Sequence, residues 1–259
     1  VGDDLLKELD KQTSKVARMI YQGTLPEDFV IDETMTRQIA LKLRDAILEG
    51  FGKAGSNIDY NTPDGAVIRN LEESVYSFSA AKNYNQLRDM TSALLNDDMV
   101  VRSFREFKEI CNNISYQYNS SWLLSEYNTA IASAQTSARW NEYQESAQEM
   151  PYLQYVTAGD DRVREEHAEL DGIIRRIDDE FWDTYYPPNG YNCRCDVIQL
   201  PGEATEADIE KYTLPVLDPI FATNLAKTGV IFPTDHPYYT DLPAEVAAKA
   251  KELFNKDSE

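Results

Sequence analysis

The sequence changes texture once, at Met150-Pro151, and that change constrains the fold more than any other feature. Before it, apolar residues recur at helical intervals. Leu5, Leu9, Val16 and Ile20 fall on one face of a first helix. Asp32 is placed to cap a second, in which Met35, Ile39, Leu43, Ala46 and Ile47 keep the same period until Gly50, Gly52 and Gly55 end it. Asn61 to Gly65 (N-T-P-D-G) reads as a turn. Further helices are expected over Val67–Ser79, Tyr84–Leu95 and Val100–Ile114. The longest is expected over Ser120–Ser146, where Leu123, Tyr127, Ala130, Ala134 and Ala138 form an inner stripe. Its alanines permit close approach of another backbone.

After Pro151 the apolar runs become short. Gln154–Thr157 reads as a strand, and Asp160–Leu170 as a helix capped by Asp160 or Asp161 and broken by Gly172. Ile173–Ile177 and Phe181–Tyr185 are β-prone runs split by Asp178-Asp179, a hairpin pattern. Pro187-Pro188-Asn189-Gly190 is a sharp turn. Tyr191–Leu200 then alternates as a strand, with Tyr191, Cys193, Cys195 and Val197 on one side. The tail suggests a strand at Gly229–Phe232, a closing helix over Pro243–Phe254 and a frayed end from Asn255 to Glu259. The fold class expected is α+β: a helical domain over 1–150, then a small mixed α/β module with a short antiparallel sheet and a helical extension over 151–259. Proteolytic nicking is expected between Glu145 and Pro151.

Composition narrows the function classes. Hydrophobic residues are 42% of 259, enough for packed cores. No basic segment followed by an apolar stretch opens the chain, and no run reaches about 18 apolar residues, so neither a signal peptide nor a membrane span is expected. The formal charge is −20, from 45 acids against 25 bases. Such a field disfavours contact with nucleic-acid phosphates. Arg162, Arg164, Arg175 and Arg176 stand among acids and read as a salt-bridged surface. Cys193 and Cys195 are too close to pair without strain and Cys111 is far away, which fits a reducing compartment.

The chemistry gathers in the run from Tyr155 to Leu200. It holds His167, one of two histidines, and Cys193 and Cys195, two of three cysteines. With His236 these make a candidate zinc site, because zinc takes four soft or borderline ligands in a tetrahedron. Asp171 and Asp235 are candidate partners for the imidazole N–H groups. The bland alternative makes both cysteines small buried apolar residues and His167 a hydrogen-bonded residue fixing the Asn189–Asn192 turn. A thiol hydrolase would use Cys193 or Cys195 as nucleophile, His167 as base and Asp161 or Asp171 as orienting carboxylate, yet no nucleophile motif surrounds them. Arg194, opposite the thiols, is expected to pair with Asp161 or Asp171. Trp182, Tyr185, Tyr186 and the two prolines form an aromatic cluster suited to a core or a protein contact.

The run D-x-R-V-R-x-x-H-x-x-L-D-G, then F-W, then P-P-N-G-x-N-C-R-C resembles the phage Mu F-like family of minor head, or head morphogenesis, proteins. The Y-N-x-x-W-L-x-x-E-Y pattern, present here as Tyr118 to Tyr127 (Y-N-S-S-W-L-L-S-E-Y), extends the resemblance more weakly upstream. The resemblance implies a non-enzymatic component of a tailed-phage or prophage head. It would bind portal or inner capsid proteins, sit in the host cytoplasm during assembly and then in the virion, and influence DNA packaging or ejection. The alternatives are a metal- or thiol-dependent hydrolase and a docking or delivery module of a toxin-related protein.

Overall fold

Helix α1, Asp3–Gln22, buries Leu9, Thr13, Val16, Ala17 and Ile20 along one stripe, as the period of its apolar residues requires. It stops at Gly23, whose φ of 64° only glycine adopts freely and whose N–H closes on the Ile20 carbonyl. The computed structural model describes residues 2–207 and 209–258; Val1, Asp208 and Glu259 lie outside it, and so does the expectation of a frayed Glu259. Helices α2 (Glu33–Gly50), α3 (Pro63–Ser92), α4 (Phe104–Tyr116) and α5 (Leu123–Glu145) follow, with a π-helical stretch Gln117–Trp122 joining α4 to α5. Ser103 and Glu106 form a reciprocal capping box at the start of α4.

Two helices were expected where α3 runs unbroken for 30 residues. The polar stretch around Lys82 suggests a break, but no glycine or proline stands there. Three of its polar side chains are instead buried and paired. Asn83 accepts from the Asp32 N–H at 2.7 Å, Asn85 donates to the Tyr238 carbonyl at 2.8 Å, and Lys82 meets both carboxylate oxygens of Glu126 at 2.7 Å.

After α5 come β1 (Tyr152–Val156), α6 (Glu165–Ala168), β2 (Ile174–Arg176), α7 (Phe181–Tyr185) and β3 (Asp196–Leu200). The sheet has the order β2-β1-β3 and is antiparallel throughout, so the α+β class and its short antiparallel sheet are as expected. Leu153 faces Gln199 and Tyr155 faces Val197 in the β1–β3 register, which turns Leu153, Tyr155 and Val197 inward. Phe181–Tyr185 is a helix rather than a strand. The Asp179 carboxylate accepts from the Phe181 N–H at 2.8 Å and starts the turn. Gly229–Phe232 forms no strand, although Ile231 and Phe232 are buried.

Short α8 (Leu225–Thr228) and the terminal α9 (Ala244–Ser258) complete the chain. α9 does not fray at Asn255: Arg37 and Tyr76 hold the Asp257 carboxylate at 2.8 and 2.7 Å.

Two compact units divide the chain, and neither is a single stretch of it. One comprises residues 1–44, 72–127 and 236–259; the other comprises 45–71 and 128–235. In the first, Val16, Ala17, Ile20, Leu87, Met90, Phe107 and Cys111 share a core. In the second, Trp140 of α5 joins Leu153, Tyr155, Leu170, Trp182, Tyr186 and Val197. The junction near residue 150 therefore separates α5 from β1 in sequence but not in packing. A cut between Glu145 and Pro151 is expected to leave both sides within one core.

Candidate functional site

The second unit places three soft side chains together in its interior. His167 sits on α6, whose few residues are tied to the loop before β3. Arg164, at the start of α6, donates from Nη2 to the Tyr191 carbonyl at 2.6 Å. Gly190 permits this approach, since a Cβ there would stand 3.1 Å from Arg164 Nη1 and 3.7 Å from His167 Cε1. The same loop carries a cis Pro187-Pro188 bond and a left-handed Asn192. The Asn192 N–H reaches Thr129 Oγ1 at 3.3 Å.

Cys193 and Cys195 precede β3, and regular strand begins only at Asp196. The alternation read from the sequence nevertheless holds: Cys193, Cys195 and Val197 are buried, while Arg194 is exposed. The thiols thus face one way without ladder pairing. His167 Nδ1 lies 3.6 Å from Cys193 Sγ and 3.5 Å from Cys195 Sγ. The ligand atoms of the three residues all lie within 4.8 Å of one another. Their residues are 2%, 7% and 9% exposed, so bulk water barely reaches them.

The other ring nitrogen, Nε2, faces the Asn189 carbonyl at 3.2 Å. A carbonyl only accepts, so in the neutral ring Nε2 carries the proton and Nδ1 keeps its lone pair toward the sulfurs. The Tyr155 hydroxyl donates to Asn189 Oδ1 at 2.9 Å. Asn189 Nδ2 is buried without a protein partner. A hydrogen bond from the Cys195 thiol is the main cause holding Cys193 below its ordinary pKa, against the effect of burial. Cys195 is pushed up, first by that same bond and then by burial. Burial above all raises Tyr155.

The remaining sequence-derived candidates fall elsewhere. His236 belongs to the other compact unit. Its Nδ1 accepts from the Tyr238 N–H at 3.1 Å, and its ring packs edge-on against Phe78. Asp171 accepts from the Thr157 N–H and hydroxyl at 2.7 and 2.9 Å, so it does not orient His167. Arg194 pairs bidentately with Asp160, at 2.8 and 2.6 Å, rather than with Asp161 or Asp171. Asp160 does not cap a long helix, because α6 begins only at Glu165. Trp182 and Tyr186 are core residues, and the Tyr185 hydroxyl donates to the Pro215 carbonyl at 3.0 Å. The hydrolase arrangement therefore has a backbone carbonyl where a carboxylate was sought. The reading of His167 as a hydrogen-bonded residue fixing the Asn189–Asn192 turn matches its contact with the Asn189 carbonyl; sequence reasoning missed Tyr155, whose hydroxyl anchors the Asn189 side chain. Tyr155 lies 34 positions before Asn189, so nothing local in the sequence links them.

The model of the family described as Phage Mu protein F like protein matches residues 69–198, half of the 259-residue chain. A 78-residue stretch is 44% identical to the Putative capsid assembly protein F of Escherichia phage Mu, covering 30% of this chain and 18% of that protein. The Mu-like prophage FluMu F protein of Haemophilus influenzae is 42% identical over 71 residues, covering 27% of this chain and 17% of that protein. The chain thus spans less than a fifth of these curated relatives. No solved structure matches.

Proposed function

This chain belongs to the phage Mu protein F like family, and from that premise we propose that it acts in assembly of a tailed-phage or prophage head. The observation that carries the reading is the 44% identity over 78 residues to a protein named for capsid assembly. The proposed partner is the portal or the adjoining inner capsid surface, with packaging or ejection of DNA influenced through that contact. The protein would act in the host cytoplasm during assembly and remain in the virion. We assign it no catalytic step.

Charge and surface support a protein partner over DNA. A net charge of −20 opposes binding to phosphates. It favours docking on a basic or mixed protein surface, with an on-rate that falls as salt rises. Met99, Val100 and Val101 are 74%, 58% and 55% exposed, an apolar group of the kind that protein contacts cover. The test is co-purification with the portal oligomer of the same phage or prophage, beside duplex DNA, at near-physiological salt. Portal retention that weakens in Val100→Asp supports the proposal. Retention on DNA with none on portal or capsid proteins would sink it.

A further inference from the structure

We propose that His167, Cys193 and Cys195 bind one zinc ion, through His167 Nδ1 and both thiolates, with water as the fourth ligand. The proposal stands on geometry and holds whether or not the chain docks on a portal.

Zinc–sulfur bonds of about 2.3 Å and zinc–nitrogen bonds of about 2.0 Å, at tetrahedral angles, place sulfur and nitrogen about 3.5 to 3.6 Å apart. The two such distances here are 3.6 and 3.5 Å. The imidazole Nδ1 has one in-plane lone pair, so at most one thiol can donate to it, yet both sulfurs stand at ligand distance from it. A cation at the centre takes all three lone pairs at once. The outer support is also in place. Nε2 donates to the Asn189 carbonyl at 3.2 Å, which fixes the ring and the tautomer that ligation needs.

The ligand set chooses the metal class. Two thiolates and one imidazole suit zinc and disfavour magnesium or calcium, which prefer oxygen. Both sulfurs bind as thiolates, and binding releases to solvent the protons that the free pair still holds. Zinc, two thiolates, a neutral imidazole and water sum to zero charge, which an apolar interior tolerates far better than a bare ion. No further His, Cys, Asp or Glu among the described residues joins the group, and His236 lies in the other unit. The burial of all three ligands ties the ion to the interior of the sheet unit, so that its binding adds to the stability of that unit.

The test begins with the full chain, purified without a histidine tag, and its metal content by mass spectrometry. One zinc per chain is expected. X-ray absorption at the zinc edge should show two sulfurs, one imidazole and one further light atom. Cobalt(II) added to the metal-free, reduced protein should give a thiolate-to-cobalt charge-transfer band. Cys193→Ser and Cys195→Ser should lose that band, whereas Cys111→Ala and His236→Ala keep it. Wild-type protein that holds no zinc and gives no cobalt band while its thiols remain reduced would overturn the proposal, and so would a shell with three sulfurs or two imidazoles. These wild-type readouts decide the matter even if a cysteine variant fails to fold.

Discussion

Each compact unit buries a polar constellation, and the two solve the problem of burial differently. In the helical unit Lys82 and Glu126 are 0% and 3% exposed at their side chains and meet at 2.7 Å. Burial pushes Lys82 down and Glu126 up, and in each case the partner's charge opposes the shift. Tyr118 and Tyr238 lie beside the ammonium at 5.8 and 5.6 Å. One cation meets one anion, so this pair is complete within the chain. The sheet unit instead gathers three soft donors, two of which can become anions. The first constellation needs nothing further, whereas the second has the composition of a ligand set. Buried polar groups thus carry functional meaning mainly where their charges and lone pairs do not balance among themselves.

Breaking the balanced pair should have the largest effect. Lys82→Met leaves the Glu126 carboxylate buried alone and should cost about 3–5 kcal/mol. Urea unfolding measures it. The double variant Lys82→Met/Glu126→Leu should recover most of the loss, because an apolar replacement removes the desolvation cost along with the attraction. A double variant as unstable as the single would mean that the pair is not self-contained.

Completing the unbalanced constellation should come next. At free zinc a thousandfold above Kd, the loaded protein should be more stable than the metal-free form by about 4 kcal/mol. Hydrogen exchange should show faster opening of β1 and β3 after chelation, with α1 and α4 less affected. An unchanged exchange pattern would make the cluster an ordinary piece of core. A smaller effect should follow from Gly190→Ala. Its methyl would press on Arg164 at 3.1 Å, and a loss of about 1–2 kcal/mol is expected, near the lower end for overpacking. Thermal unfolding, followed with and without zinc, checks it.

The sheet-unit cluster was largely legible in the sequence because scarce residues carry it. His167, Cys193 and Cys195 stand out by type, and alternation placed both thiols inward although regular strand begins only at Asp196. His236 was grouped with them by type alone. Spatial adjacency depends on packing, and its ring goes to Phe78 and Tyr238. The balanced pair left no comparable trace. Lys82 and Glu126 are common helical residues 44 positions apart, and only tertiary packing reveals them as partners. The same blindness split α3 in two, since its middle looks solvent-facing until its partners are known. Phe181–Tyr185 read as a strand because aromatic content favours β structure, whereas a single hydrogen bond to Asp179 starts a helix there. The family resemblance was clear where the chemistry concentrates, after Tyr155. The match itself reaches back to residue 69, through helices whose sequence is ordinary.

The exposed side of the ligand loop should contribute least, and it tests whether burial is what separates the two kinds of polar group. Arg194 alternates with the thiols and points outward to Asp160. Its hydrogen bond is the main cause holding the Asp160 carboxyl well below the ordinary aspartate value of 3.8. The sign follows from the direction. A carboxyl depressed in the folded state adds stability above its unfolded pKa and loses it as pH falls through the folded one, so the window lies in acid below 3.8. Exposure and salt keep the contribution small. Arg194→Gln should therefore raise the Asp160 titration toward its ordinary value, seen by carboxyl NMR. At neutral pH it should lower the melting temperature by less than Gly190→Ala does. The difference from wild type should vanish once both states are protonated, and zinc content should not change. If Arg194→Gln instead released the metal, the loop's two faces would be coupled, and the exposed ion pair would belong to the ligand-holding framework rather than to the surface.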